Sequence, residues 1–486
     1  MKKVISIAII LLIFLTSILL TNLLFFPSKQ IRTEAISPEP ISIQPAIKRL
    51  SEAIQIKTVS NQEKPIDRSE FLKFQKFLNS SYPLVSKNLS QKTFLEYSLL
   101  YEWKGTDPSL KPILFMSHMD VVPVENEENW EAPPFSGSID ENFVRGRGSL
   151  DDKSAVLANF ESIEFLLSKG YKPKRTVYLS IGHDEETIGR GASAIAEYFQ
   201  TQNIEFELIQ DEGMFLADGF LPGITKPVAI IGIAQKGYVT LELTVTDSGG
   251  HSSSPPNPSA VGILSRALVS LEENQMPGKL RGVIKMMFDT LGPEMANPFK
   301  LLFANQWIFS PLIESQLSSS PGTNSNLRTT TALTMLKGSE KENVLPQKAQ
   351  ALVNFRINPS DSIAKVVEHV KNVVDNPRVE IRVLEESAKE PSPISSTESD
   401  TYQLISRTVR EIFPEAIVTP GIFIASSDTF AFVKLSKNIF RFHPLYIKKS
   451  LSDEKRIHGN NERISIKDYE KFIQYNIRFI QNCSEK

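Results

Sequence analysis

Short unbroken apolar runs alternate along this chain with stretches in which apolar residues recur every three or four positions. Residues 112–117 read as a buried strand, and 176–181 and 206–209 as two more. Between them, residues 153–169 carry a helical period closed by Gly170, and 188–199 carry another. Strands alternating with helices predict an α/β unit with a mostly parallel sheet covered on both faces. At Gly237 the pattern changes. Residues 238–246 alternate strictly, as a strand with one solvated face does. A helix over 258–271, an irregular helical stretch over 280–317 and strands over 329–336 and 348–357 follow. A helix over 362–373 and a strand over 379–384 complete the series. That order is βαββαβ with an insertion, the split ferredoxin-like motif. Pro391 and Pro393 mark the return. The pattern therefore predicts a small unit, residues 235–388, inserted into a larger one made of 46–234 and 389–486.

One run exceeds the others. Residues 4–26 are almost unbroken apolar sequence behind Lys2 and Lys3, and ~20 such residues cross a hydrocarbon core. No small-x-small exit lies around Leu20 to Phe26, which favours an uncleaved signal anchor over 1–28 above a cleaved signal peptide. Either reading leaves Lys2 and Lys3 in the cytoplasm and exports the body. Residues 29–45, with Pro38 and Pro40, read as a tether.

Composition narrows the chemistry. The formal net charge of −2, with no long basic run, excludes a sequence-independent nucleic-acid binder. The single cysteine, Cys483, permits neither an intrachain disulfide nor a thiolate metal cluster, so a metal site must use His, Asp and Glu. Four short segments set those residues at or just after an extended stretch: 117–120 (Ser-His-Met-Asp), 148–152 (Gly-Ser-Leu-Asp-Asp), 183–186 (His-Asp-Glu-Glu) and 210–213 (Gln-Asp-Glu-Gly). In an open parallel sheet, the loops at the carboxyl ends of strands form the ligand crevice. Acidic tips gathered there repel one another unless divalent cations sit between them. Imidazole and carboxylate without sulfur suit zinc, and also manganese or cobalt. In His118-x-Asp120 both side chains point to one face, so the Asp can hold the far ring nitrogen. Glu185 and Glu186 diverge, so one can bind metal while the other faces the attacking water.

Residues 117–120, 146–153 (Gly-Arg-Gly-Ser-Leu-Asp-Asp-Lys) and 184–186 (Asp-Glu-Glu), in this order, resemble the zinc aminoacylase and carboxypeptidase family, most closely its carboxypeptidase S branch, which also holds a hydrolase of N-fatty-acyl amino acids. Residues 130–135, 250–253 and 456–462 carry the branch resemblance. The resemblance implies a two-metal peptidase fold with an inserted lid or dimerisation unit, and a substrate that is a small peptide or N-acyl amino acid with a free carboxylate. It implies that His118, Asp151 and Asp211 hold one zinc, and that Asp151 bridges to a second held by Glu186 and His458. Asp120 would orient His118, Glu185 would be the general base, and His251 would stabilise the oxyanion. Asn343 and Arg356 would grip the substrate. A homodimer through the inserted unit is a further expectation, as is the competing reading of an inactive homologue kept for binding. One departure stands out: where relatives carry Thr-Asp-Ser/Asn-Arg, this chain has Ser427-Asp428-Thr429-Phe430, and phenylalanine cannot clamp a carboxylate. The apolar residues of 286–309 read as core packing, or alternatively as a wall for an acyl chain or membrane.

Overall fold

The strand Ile113–His118, buried at every position, lies inside a large mixed sheet in the computed structural model, which describes residues 1–34, 36–63 and 65–484. It pairs in parallel with Val177–Gly182 on one side and Leu208–Asp211 on the other, and Leu208–Asp211 pairs in parallel with Ile439–Arg441. Their carboxyl ends therefore share one edge. Antiparallel strands flank this centre: Ser98–Trp103 pairs antiparallel with Val177–Gly182, and Leu216–Asp218 with Val228–Gln235. The helices Lys153–Ser168, Asp400–Ile412 and Ile466–Ser484 cover the sheet through an apolar cluster that includes Phe115, Phe160, Ile405 and Phe479.

The chain leaves this sheet at Gln235 and returns at Ser392, where Gln235 N donates to Ser392 Oγ at 2.9 Å and Ser392 N to Gln235 O at 3.2 Å. Between these points it builds a second, antiparallel sheet in the order Thr330–Lys337, Lys348–Ile357, Gly237–Thr246, Glu380–Val383. Its helices Ala260–Glu273 and Ile363–Val374 start where Ser259 and Ser362 accept backbone N–H bonds from Gly262 and Lys365. This is the ferredoxin-like arrangement expected from the pattern.

Two details differ from the expectations and a third sharpens one, each for a local reason. The helix read from 188 begins at Arg190, because Gly189 takes φ +68° and Asp184 accepts from the N–H of Arg190 and Gly191. The stretch 280–317, read as irregular, divides into Gly282–Leu291, Phe299–Ala304 and Gln306–Ser318, with Pro293 and Pro298 in the first break and Asn305 at the second. The expected tether lies on the body: Gln30 exchanges two bonds with the Val418 backbone, at 2.8 and 2.9 Å, and the helix Ile43–Ile54 begins within it.

Candidate metal centre

His118 ends its strand fully buried, and its two ring nitrogens have separate partners. Nδ1 lies 3.0 Å from Asp120 O and 3.4 Å from Asp120 Oδ1, while Nε2 lies 3.0 Å from Asp151 Oδ1 and 3.6 Å from Glu212 Oε1. On the far side of Asp151, His458 Nε2 lies 2.9 Å from Asp151 Oδ2 and 3.0 Å from Glu186 Oε2. Two ligand triads result, His118–Asp151–Glu212 and Asp151–Glu186–His458, and Asp151 offers a different oxygen to each. Asp120 is buried beneath them. Its carboxylate accepts from Ser60 Oγ at 2.5 Å and from the backbone N–H of Glu185 and Glu186 at 3.2 Å each, so it joins the His118 strand to the Glu185-Glu186 loop.

A second buried carboxylate holds the remaining loops. Glu462 Oε1 accepts from the N–H of Gly148, Leu150 and Asp151 at 3.0, 2.7 and 3.1 Å, and Glu462 Oε2 accepts from Arg147 Nη1 at 2.7 Å. Arg147 Nη2 in turn donates to His458 O at 3.2 Å.

The electrostatics call for cations. Burial opposes charge on His118, but Asp120, Asp151 and Glu212 outweigh it and hold the imidazole well above its ordinary value. Bonds from Asp151 and Glu186 raise His458 to about 10. Burial, reinforced by Asp151, pushes Glu212 up to about 8, and burial with the charge of Glu212 drives Glu185 well above the carboxylate range. Burial likewise raises Asp152 and Asp428. Among the described residues Glu186 Oε1 is buried without a hydrogen-bond partner. So many ionisable oxygens beside so few imidazoles stay charged only with added positive charge, and the oxygen and nitrogen donors fit divalent zinc, cobalt or manganese.

Of the residues singled out in the sequence, His118, Asp120, Asp151, Glu185, Glu186 and His458 come together here. Asp211 is buried beside them, its Oδ2 without a hydrogen-bond partner among the described residues. It ends the strand Leu208–Asp211 in register with Arg441, and its neighbour Glu212 comes within 3.6 Å of His118 Nε2. Asp211 and Glu212 thus both stand as candidates for this position, and sequence reasoning did not name Glu462. His251 and Asn343 lie elsewhere. They sit on an exposed two-stranded ribbon, where His251 pairs with Val344 and Asn343 O accepts from Ser252 N. The ten-residue strand Gly237–Thr246 carries that ribbon ~33 Å from the crossing to the large sheet. A role for His251 over the triads requires the inserted unit to swing or a second copy of the chain to supply it. Arg356, by contrast, faces the triads across the cleft.

Known proteins resemble this chain in sequence and fold. The profile of the peptidase family M20/M25/M40 matches residues 114–482. The chain belongs to this family. It is 42% identical over 487 residues to "Probable carboxypeptidase S-like 2" of Dictyostelium discoideum, covering 98% of this chain and 93% of that one. It is 39% identical over 462 residues to the human "N-fatty-acyl-amino acid synthase/hydrolase PM20D1", covering 94% and 90%. Among solved structures it resembles an M20 family metallo-carboxypeptidase from Sulfolobus solfataricus, with TM-score 0.64, 19% identity and coverage of 91% and 99%. Human carnosine dipeptidase 1 matches with TM-score 0.59, 16% identity and coverage of 93% and 100%. The chain is thus a hydrolase of the M20 metallopeptidase family.

Within this M20 hydrolase the triads open into a cleft of about 720 Å³. Glu185, Glu186, Glu212 and His458 line one end, Arg356 and Lys389 contribute the cations, and Met214, Phe215, Ile422 and Phe423 give an apolar wall. Phe430 is part of the lining, and Lys389 Nζ stands 5.4 Å from the centre of its ring. Arg356 and Lys389 flank Tyr238 on opposite sides, each paired with it across the sheet, and the Arg356 guanidinium lies 4.9 Å over the Tyr238 ring. Lys389 was not among the expected site residues. Its signal is positional: it is the cation that directly follows the inserted unit 235–388.

Proposed function

We propose that this protein hydrolyses the amide bond of N-acyl amino acids or small peptides that end in a free carboxylate, using two divalent ions, zinc before cobalt or manganese. The observation that carries the reading is Asp151, whose two carboxylate oxygens each face a separate triad at 2.9–3.0 Å. His118, Asp151 and Glu212 would hold one ion, and Asp151, Glu186 and His458 the other. Divalent ions there supply Lewis acidity toward the scissile carbonyl and make water acidic near neutral pH. Asp120 fixes the His118 ring through Nδ1, leaving Nε2 as the donor to metal. Glu185, in the same cleft but in neither triad, takes the proton of the attacking water and delivers it to the leaving nitrogen. Arg356 and Lys389 bind the substrate carboxylate in the absence of an arginine at position 430, and the apolar wall receives the acyl group. The helix Lys2–Leu24 anchors the enzyme with its body outside the cytoplasm.

The test is hydrolysis by the metal-loaded protein of glycyl-leucine, N-acetyl and N-oleoyl amino acids, run in parallel on Glu185→Gln. The expected result is turnover that needs metal, favours the long acyl chain, and falls ~10²–10⁴-fold in the variant while bound metal is unchanged. Turnover surviving in Glu185→Gln would remove Glu185 from the role of base.

A further inference from the structure

The apolar N-terminal helix lies against the body. Residues Leu15, Ile18, Leu19, Asn22 and Leu23 of Lys2–Leu24 are partly buried, the spacing of a single helix face, while the rest of the helix is exposed except Phe26 just beyond its end. Asn22 Nδ2 donates to Asn305 Oδ1 at 2.8 Å, and Asn305 Nδ2 donates to Leu19 O at 3.1 Å. Phe26 then enters the apolar cluster that contains Phe288, Leu291 and Phe303. Asn305 joins the helices Phe299–Ala304 and Gln306–Ser318, so the helical insertion is the element that receives the N-terminal helix.

That element is built for an apolar medium on its outer side. No charged residue lies between Lys300 and Glu314. In the first turns of Gln306–Ser318 the exposed positions are Trp307, Ile308, Pro311 and Leu312, on one face, with Trp307 61% and Leu312 56% exposed. One turn farther on, the exposed positions of that face become Ser315 and Gln316. The apolar part is the part next to the N-terminal helix.

Helix length fixes the level. The 23 residues of Lys2–Leu24 rise ~35 Å, against a hydrocarbon core of ~30 Å. The stripe Leu15–Leu23 occupies the last ~12 Å of that rise, which is the leaflet on the body's side, and whatever packs on the stripe shares its depth. We propose that Trp307, Ile308 and Leu312 are immersed in this leaflet, so that the enzyme body sits in the membrane surface and is not held above it on a tether. Lipid is the occupant of the face, with Trp307 at the depth where its amphipathic ring is favoured and Ser315 marking the exit into water. The inference rests on the anchoring role of Lys2–Leu24 proposed above.

The experiment places the full chain in bilayers of phosphatidylcholine brominated on its acyl chains, beside unbrominated controls. The Trp307 contribution is the emission lost in Trp307→Phe, since the other tryptophans are Trp103 and Trp130. Expected is a roughly two-fold or greater quenching of that contribution by bromolipid, the signature of a face ~5–10 Å into the acyl boundary, with little quenching of the remainder. Trp307→Phe/Leu312→Trp gives an independent reporter one turn away. Two results would overturn the proposal. Trp307 emission unaffected by bromolipid but quenched by aqueous acrylamide puts the face in water, and emission shielded from both puts it against protein. Alkaline carbonate extraction separates the two levels of failure, because a chain released by carbonate lacks the anchor altogether.

Discussion

Glu462 accepts a hydrogen bond from the backbone N–H of Asp151 at 3.1 Å, tying a buried carboxylate that binds no triad to the one residue both triads share. Glu462 lies four residues after His458, so the same side chain also anchors the loop carrying the opposite ligand. Glu462→Ala leaves the Arg147 guanidinium buried without its counter-charge and three N–H groups without an acceptor. Breaking such a buried pair costs about 3–5 kcal/mol, read as a lowered urea midpoint of the apo protein. In Glu462→Gln, which keeps the shape, metal affinity is expected to fall ~10–100-fold, as for other groups that orient ligands from behind. Titration with a competing chelator measures it.

Asp211 and Glu212 separate cleanly by experiment. Glu212→Gln removes a donor from the triad around His118, so metal content after dialysis should fall to about half that of the parent protein, by elemental analysis. Asp211→Asn should keep its metal and lose stability instead. Arg441, fully buried and lowered to about 10 by that burial, has the Asp211 charge as its support. The opposite pattern, metal loss in Asp211→Asn alone, would identify Asp211 as the ligand expected from sequence.

This pair also shows how far the sequence could be read. The periods of 2 and 3.6 in the hydrophobic pattern located the strands that present His118 and Glu212, and the change of period at Gly237 located the second sheet. The acidic segments declared a metal site because carboxylates at neighbouring strand ends need a counter-charge. What stayed hidden was orientation. Asp211 and Glu212 differ by one position, and the segment alone does not tell that Glu212 is the one that comes within 3.6 Å of the imidazole. Glu462 was hidden for another reason: its partners at 147–151 are more than 300 residues away in sequence, and no local pattern encodes that pairing. The position of His251 depends on how far a ten-residue strand carries its ribbon, which periodicity leaves unspecified.

The cations of the cleft make a prediction about substrate charge. Arg356 and Lys389 flank Tyr238, and among the described residues neither side chain has an ion-pair partner. A charged hydrogen bond is worth about 1.5–3 kcal/mol, so Arg356→Ala should lower kcat/KM ~10–100-fold on an N-acyl amino acid, mainly through KM. On the same compound with its carboxylate amidated, the variant and the parent should differ little. Lys389→Ala should show the same selectivity, more weakly, because Lys389 is the more exposed of the two. Equal losses on both substrates would mean that the cations support the fold and not the ligand.

A last prediction concerns Lys236, buried where the chain crosses between the sheets, with Nζ donating to Arg328 O at 2.8 Å. Burial, reinforced by the charge of Arg356, lowers its ammonium from 10.5 to about 7. The unfolded chain therefore holds this proton up to about pH 10, while the folded chain releases it near 7. Between those values the unfolded state binds more protons, so this group makes stability rise with pH, at up to ~1.4 kcal/mol per unit for one proton. Below pH 7 its cost is complete and constant. Lys236→Met removes the titration. Its unfolding free energy should exceed or approach that of the parent at pH 6, and the parent should gain on it steadily from pH 7 to 9. Parallel slopes for the two proteins over that range, measured by urea unfolding with metal removed, would show that Lys236 keeps its charge in the folded state, held by Arg328 O and water.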